Sequence, residues 1–270
     1  MKTDILSTSG VATRIALPDA KIVLDLGVAD AVAMKCPTAL ITHLHADHAG
    51  AAWSWAAGGG LRDPKPRTLF CHHLVATLLR DYLEMGYRMN GNAGATPKVI
   101  GIVPNETVGL PDSPLKATAI ATDHRVLSVG WAVVEGRRKL APQFAGAPPD
   151  ELIKAKAQSI PIHVIEDRVL FAYTGDTTAR GLERASHSPL LEADHLVVEC
   201  TYMADFPIAE ARDRGHCHLD ELLELAEAGL FARCGEVTLT HFSPRYTSTA
   251  IGVARALFQA AMDRYKEKVR

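Results

Sequence analysis

Six consecutive residues, His43-Leu44-His45-Ala46-Asp47-His48, carry three imidazoles and one carboxylate. Neither a packed core nor an ordinary surface asks for that combination. An apolar run, Ala39-Leu40-Ile41, leads in, and a helix-like run from Ala49 to Ala57 leads out. The segment therefore reads as a loop between a strand and a helix. A turn there sets His43 and His45 on one side and Asp47 and His48 on another, so one loop can serve two metal ions. Imidazole nitrogen and carboxylate oxygen are donors that suit zinc or a similar transition metal. A polar loop with incidental histidines rarely reaches this density of ligand types.

Six residues cannot complete two metal sites. The chain offers His124 in Thr122-Asp123-His124-Arg125, Asp176 in Tyr173-Thr174-Gly175-Asp176-Thr177, and His241 in Leu239-Thr240-His241-Phe242. Each stands at or just beyond the end of an apolar, β-branched run, where a sheet-based enzyme carries its active-site loops. The candidate metal ligands are thus His43, His45, Asp47, His48, His124, Asp176 and His241. They converge only if the chain, residues 1–270, folds as a single domain.

Composition narrows the function. The net charge of −2 gives no global basic field for nucleic acid, although a local patch can still serve. The cysteines, Cys36, Cys71, Cys200, Cys217 and Cys234, are odd in number and lack CxxC spacing. They read as structural thiols in a reducing, cytoplasmic compartment. Met1-Lys2-Thr3-Asp4 precedes no apolar h-region, and no run approaches the ~18 apolar residues of a membrane helix. Neither export signal nor membrane span is expected.

Val11 to Leu17 and Lys21 to Leu26 flank Pro18-Asp19-Ala20 and predict a hairpin. Asp25 follows as either a turn carboxylate or an outer support for the metal loop. Strand 38–42 and helix 48–57 bracket the ligand loop. Gly58-Gly59-Gly60 reads as a connection without phosphate-loop spacing. A strand at 67–71 precedes a helix at 73–85 with Leu74, Leu78, Leu79 and Tyr82 on one face, and His72 and His73 at its start read as structural. Arg88 to Pro97 reads as a solvated loop, and strands follow near 98–103, 115–122 and 129–134. Arg137-Arg138-Lys139 reads as a solvated turn. Ala141 to Pro149 reads as a loop, followed by a helix at 150–157. A hairpin of 161–165 and 168–173 around Glu166-Asp167 delivers Asp176. Strand 196–200 ends on Glu199, helix 219–228 follows, strand 236–240 delivers His241, and helix 250–266 closes the chain. The alternation predicts an α/β sandwich with helices outside.

These residues carry a family resemblance. His43-Leu44-His45-Ala46-Asp47-His48 resembles the HxHxDH motif of the metallo-β-lactamase fold, and His124, Asp176 and His241 fall at its later ligand positions. The second half is more specific. Leu239-Thr240-His241-Phe242-Ser243-Pro244-Arg245-Tyr246 resembles the LTHFSxRY segment of tRNase Z, the ribonuclease that trims precursor tRNA 3′ ends. Val198-Glu199-Cys200-Thr201 resembles its HEAT motif, Gly215-His216 the start of its HST motif, and His124 to Trp131 its fourth-ligand segment. Ala209 to His218 looks most like the short, plant-type proteins. The likeness spans roughly residues 20 to 250. It departs where Val198 replaces the first histidine of HEAT and where Cys217-His218 follows His216. The glycine- and proline-rich arm that grips tRNA in many bacterial members has no clear counterpart between about 135 and 170.

The resemblance implies a metallo-β-lactamase αββα sandwich, two mixed sheets packed face to face with helices outside. It implies two zinc ions per chain, with manganese or iron as alternatives at an N/O-ligand site. One would sit on His43, His45 and His124, the other on Asp47, His48 and His241, with Asp176 bridging. Such a pair supplies hydroxide near neutral pH for attack on a phosphodiester. Asp47 would orient that hydroxide or accept its proton. His216 would protonate the leaving ribose oxygen, with Glu199 fixing its tautomer. His218 competes for that role, or else makes a local bond at a helix start. Arg245 reads equally as a phosphate contact or a structural residue. The expected function is a zinc-dependent endoribonuclease acting on precursor tRNA, working as a homodimer. Two other readings stand beside it: a small-molecule metallohydrolase of the same fold, taking a phosphodiester, cyclic nucleotide or lactone, and a non-catalytic metal- or RNA-binding module.

Overall fold

Apolar residues alternate in register along the central strands, so each sheet buries both of its faces. Leu40 and Phe70 point one way and Ala39 and Leu69 the other. A computed structural model describes residues 1–59, 67–91 and 97–269 of the chain. The glycine run at 58–60 and the loop at 88–97 fall partly outside these residues, at Gly60 and at 92–96. The first sheet holds β1 (Asp4–Thr8), β2 (Ala12–Leu17), β3 (Ile22–Leu24), β4 (Thr38–Leu40), β5 (Thr68–His72) and β6 (Lys98–Ile102) in chain order. The second holds β7 (Thr107–Gly109), β8 (Leu115–Ala121), β9 (Val129–Leu140), β10 (His163–Tyr173), β11 (His195–Glu199) and β12 (Glu236–Thr240), again in chain order across the sheet.

The sheets face one another across a core in which Leu17, Leu24, Leu40 and Phe70 meet Trp131, Phe171 and Tyr173. On the outer face of the first sheet lie α1 (Ala46–Ala49), α2 (Ala52–Gly59) and α3 (Ala76–Met89), which bury Trp55, Leu79 and Leu83. On the outer face of the second, α7 (Leu219–Glu227) and α8 (Ser248–Lys268) bury Leu222 and Phe258 against Leu196 and Val198. The expected αββα sandwich is the observed fold. Each large core side chain contributes about 1.5–3 kcal/mol, so these layers form a rigid frame for the loops at their edge.

Strand direction decides which edge. β3 to β6 run parallel, as do β10 to β12, and β8 and β10 are both antiparallel to β9. The carboxyl ends of β3, β4, β8, β10, β11 and β12 therefore deliver Asp25, His43, His124, Asp176, Glu199 and His241 in turn. Two bonds clamp the sheets together there: Val129 N–H to Thr42 O at 3.0 Å, and Trp131 Nε1–H to Ile41 O at 3.1 Å.

The hairpin expected around Glu166-Asp167 does not form. β10 runs straight through both residues, paired with β9 from Tyr173 opposite Trp131 out to His163 opposite Leu140. Two carboxylates without a glycine, proline or asparagine beside them set no turn geometry. They take up cross-strand charge pairs instead, Glu166 with Lys139, and Asp167 with Lys116 at 3.1 Å. Arg137-Arg138-Lys139 accordingly lie in a strand rather than a turn. Residues 136–140 and 164–168 are exposed on both faces, so the two strands leave the sandwich as an arm. α4 (Pro149–Ala157) caps it, and Ala141, Phe144, Ala155 and Ile162 give it a small core of its own. An arm thus stands between about 135 and 170, where no clear counterpart was expected, with the proline-rich stretch Ala141 to Pro149 between its two strands.

α3 also differs from expectation. Leu74, in the turn just ahead of α3, shares a face with Leu78 and Tyr82, but that face is exposed apart from the Tyr82 hydroxyl, which bonds the Gly50 carbonyl, and it continues through Met85 and Met89. The buried face is Ala76, Leu79, Leu83, Gly86 and Tyr87. Both stripes have helical spacing, and the inner one is chosen by fit: a Cβ on Gly86 would lie 2.7 Å from Trp53 Cβ. Two short helices, α5 (Ala179–Arg184) and α6 (Ile208–Asp213), had no periodic signal, being too short to show one.

Candidate metal centre

The ligand loop is shaped by what lies on either side of it. After β4, the Thr42 N–H and hydroxyl both bond Asp25, at 2.8 Å to Oδ1 and 2.8 Å to Oδ2. After His45 the chain curls at once into α1, with the His48 and Ala49 N–H groups both bonding the His45 carbonyl. Gly175 sits at φ +61°, and a Cβ there would lie 2.8 Å from Thr42 Cβ. The Asp176 loop can press onto the histidine loop only because this residue is glycine. His241 itself holds φ +61°, a costly conformation for a histidine that the surrounding packing enforces.

The donors gather in two groups that share one carboxylate. His43 Nε2 lies 3.1 Å from His45 Nδ1, which lies 3.3 Å from His124 Nε2. Asp176 Oδ2 faces this group, 3.7 Å from His43 Nε2 and 4.0 Å from His124 Nε2. In the second group His48 Nε2 and His241 Nε2 are 3.1 Å apart, with Asp47 Oδ2 at 3.6 Å and 3.4 Å from them. Asp176 Oδ1 faces this pair at 3.3 Å and 3.5 Å. The structure therefore brings all seven candidate ligands together. The donor atoms of His43, His45, His124 and Asp176 lie within 4.8 Å of one another, as do those of Asp47, His48 and His241.

Outer contacts aim these nitrogens inward. His48 donates its Nδ1 proton to Asp25 Oδ2 at 2.7 Å, and His124 donates to Gly215 O at 2.8 Å. Thr42 and Thr201 give their hydroxyl protons to Asp25 and Glu199. Their oxygens can then only accept, from His43 Nδ1 at 3.0 Å and His241 Nδ1 at 2.9 Å. The Nε2 atoms of His43, His48, His124 and His241 are left as lone-pair donors. Asp25 is thus an outer support for the loop and not a turn carboxylate. The Gly10 N–H holds Asp47 Oδ2 at 2.7 Å.

This arrangement demands positive charge. With their Nδ1 protons committed, His48 and His241 turn lone pairs on each other at 3.1 Å. Asp176 Oδ1 is buried with no hydrogen-bond partner. Burial, together with neighbouring imidazoles, holds His43 well below the ordinary imidazole range and lowers His45 and His124. Burial would lower His48 as well, but Asp176 and Asp25 raise it well above that range. Burial opposes ionisation of Asp176, yet His241 and His48 bring its carboxyl well below the usual value. A cation shared by buried nitrogens and oxygens resolves all three conditions, and the donor set fits a divalent transition metal.

His216 and Glu199 stand at the rim of this cluster. His216 Nδ1 lies 3.1 Å from Glu199 Oε1 and 3.2 Å from Thr201 Oγ1, and 3.8 Å from Asp176 Oδ2. Burial depresses the imidazole, and the Glu199 charge and hydrogen bond raise it above its ordinary value. The Glu199 Oε1 atom also takes the N–H groups of Cys217 at 3.0 Å and Thr177 at 3.2 Å. His218 faces elsewhere. Its Nε2 bonds the Met203 and Phe206 carbonyls at 2.8 Å and 3.0 Å, and its Nδ1 accepts the Asp220 N–H at the start of α7. Thr42, Thr201 and the Gly10 N–H were not anticipated as supports. A threonine next to a ligand histidine, as in Thr42-His43 and Thr240-His241, is ambiguous in sequence, and only the fold shows that the first is used and that Thr201 serves His241.

No family model matches the chain. The chain is 29% identical over 245 residues to the chloroplastic tRNase Z TRZ2 of Arabidopsis thaliana, covering 89% of this chain and 67% of that protein. It is 30% identical over 235 residues to ribonuclease Z of Brevibacillus brevis, covering 76% of this chain and 68% of that protein. Among solved structures, human short-form tRNase Z superposes with a TM-score of 0.62 at 18% identity, covering 91% of this chain and 94% of that one.

Proposed function

The chain belongs to the ribonuclease Z family, and from that premise we propose that it is a metal-dependent endoribonuclease that removes the 3′ trailer of precursor tRNA. The observation that carries this reading is His216 held by Glu199 at 3.1 Å beside the two donor groups, because a metal-binding module has no use for a mounted proton donor. All of the chain acts as one domain, since the site draws on both sheets.

We assign two zinc ions to the site, the first on His43, His45 and His124, the second on Asp47, His48 and His241. When bound, they supply a water activated near neutral pH and neutralise charge on the phosphate. Asp176, with one oxygen turned to each group, would serve both ions. Asp47, steadied by Gly10, orients the attacking oxygen or takes its proton. His216, whose hold on a proton Glu199 strengthens, gives its proton to the leaving ribose oxygen.

The arm of β9, β10 and α4 supports RNA as the substrate. Arg138, Lys154 and Lys156 stand exposed on it with no carboxylate partner among the described residues, beside the exposed Asp150 and Glu151, so a chain of net charge −2 still offers cations for phosphate there. The protein acts as a homodimer, and the exposed apolar stripe of Leu74, Leu78, Tyr82, Met85 and Met89 is the surface that supports this. No helix among the described residues is long and apolar enough to cross a membrane. Five buried free thiols suit a reducing compartment, and we place the protein in the cytoplasm.

The deciding experiment is cleavage of an in-vitro-transcribed precursor tRNA by the zinc-loaded protein beside His216→Ala. A cut just after the discriminator base, lost in the variant, is expected. No cut, with a chromogenic phosphodiester still hydrolysed, would move the activity to a small phosphodiester.

A further inference from the structure

Tyr202 and Phe206 stack with ring centres 3.9 Å apart and planes 12° from parallel. Both are buried, and with Ala211 they form a cluster separate from the large cores. Two arginines border this stack. The Arg214 guanidinium carbon lies 5.2 Å from the Phe206 ring centre and 6.0 Å from Tyr202, and that of Arg245 lies 5.0 Å and 5.9 Å away. A point almost equidistant from two rings so close together lies beside the stack and not on top of it. Each guanidinium therefore lies against the ring edges, where the aromatic quadrupole offers a cation no attraction, so it is placed by packing and not by cation–π binding.

The guanidinium N–H groups are largely uncommitted. Both arginines are exposed. Arg214 reaches the Tyr202 hydroxyl at 3.5 Å and Glu210 at 3.8 Å, and the second is a surface pair of the kind worth about 0–1 kcal/mol. Arg245 has no carboxylate partner among the described residues, and nearby Asp205 is turned to Tyr246. The platform beneath them is fixed. His218 holds the Met203 and Phe206 carbonyls, and the Tyr246 hydroxyl accepts the Met203 N–H at 2.9 Å.

Position supplies the use. The Tyr202 ring centre is 5.9 Å from that of His216, and Arg214 precedes His216 by two residues. The stack thus borders the site at His216, and the guanidiniums of Arg214 and Arg245 lie 6.0 Å and 5.9 Å from its Tyr202 ring. We propose that Arg214 and Arg245 form a second phosphate subsite, which takes the phosphodiester neighbouring the scissile one and so selects a polynucleotide over a small ester. The two planar guanidiniums suit bidentate contact with a phosphate.

This subsite rests on the proposed endoribonuclease activity, and the test separates the two. The Arg214→Gln/Arg245→Gln protein is compared with wild type in three assays: cleavage of precursor tRNA across a salt series, turnover of bis(p-nitrophenyl) phosphate, and inhibition of that turnover by a short single-stranded oligonucleotide. The single-phosphate ester should turn over within about twofold of wild type. KM for precursor tRNA should rise about tenfold or more, with the salt slope reduced by about one per arginine, and inhibition by the oligonucleotide should weaken in step. Unchanged KM, slope and inhibition would overturn the subsite, as would equal loss of ester turnover. If wild type cuts no precursor tRNA, the endoribonuclease activity fails, while the oligonucleotide assay still decides whether the arginines bind phosphate.

Discussion

Asp25 and Glu199, from opposite sheets, share a pattern of contacts to which Glu199 adds the N–H groups of Cys217 and Thr177. Each buried carboxylate takes the hydroxyl of one threonine, Thr42 or Thr201, and one imidazole nitrogen, His48 at 2.7 Å or His216 at 3.1 Å. Through the threonine each also steadies a second histidine, His43 or His241. The division of labour differs: both histidines served by Asp25 face the metal groups, whereas Glu199 serves one that does and one, His216, that stands at the rim.

Asp25→Asn tests the first half of that symmetry. The amide keeps the shape but removes the charge that orients His48 and favours its inward lone pair. Metal affinity should fall about 10- to 100-fold, read by competition with a chromogenic chelator, with the folded state retained. Unchanged affinity would show that Asp25 only shapes the loop.

Glu199→Gln tests the second half, and the sign is set by His216. Its pKa is raised in the folded protein, against burial, by Glu199. The protonated form needed for proton donation is therefore present below that raised value and lost as pH rises through it. Removing the carboxylate lets the imidazole fall, so the alkaline limb of the kcat profile should move to lower pH and kcat should drop about 10²–10⁴-fold. A limb that stays in place would assign the proton to another group.

His216 and His218, two residues apart, should separate cleanly. His216→Ala removes the mounted donor and should abolish turnover with little change in Tm. His218→Ala leaves the Met203 and Phe206 carbonyls and the first turn of α7 without their partner. It should cost about 1–3 kcal/mol of stability while metal content stays near wild type. Thermal unfolding and metal analysis on both variants decide it.

What was legible in the sequence was what chemistry alone requires. Seven donors at strand ends could not be read as core, whereas His216 and Glu199 stood out only through the resemblance of their segments to tRNase Z motifs. The alternation of strand and helix segments along the chain made the sandwich readable as well. The failures came where two physical readings share one pattern. The stripe of Leu74, Leu78 and Tyr82 has the same helical spacing as Ala76, Leu79 and Leu83, and only the close fit of Gly86 on Trp53 chooses between them. Glu166-Asp167 looks like a turn until Lys139 of β9 and Lys116 of β8 are found within reach. His218 looked like a rival donor because sequence distance says nothing about which carbonyls its ring meets.

Metal removal should destabilise the whole sandwich, because the donors are drawn from both sheets. A ligand that binds only the folded state adds about 2.7 kcal/mol at a hundred times its Kd. Thermal unfolding after chelation and dialysis should therefore fall by roughly 5–10 °C for a domain of this size, and added zinc should restore it. A Tm indifferent to chelation would mean that the buried lone pairs of His48 and His241 are relieved by a proton alone.

The α3 stripe yields the last prediction. Leu74, Leu78 and Met85 are each more than half exposed, Met89 is 78% exposed, and Tyr82 lies between them. A continuous apolar stripe of this kind on a helix whose other face is fully packed marks a contact surface. Five side chains supply the apolar centre of an interface and not the ~800 Å² per partner that a stable one buries, so neighbouring residues must complete its rim. Leu78→Glu with Met85→Glu places like charges at that centre in both copies. Sedimentation should show a wild-type dimer become a monomer, while Tm at low concentration and turnover of bis(p-nitrophenyl) phosphate stay near wild type, because Leu79, Leu83 and the metal groups are untouched. A wild-type protein that sediments as a monomer at micromolar concentration, or a variant that remains a dimer, would remove this face from the interface.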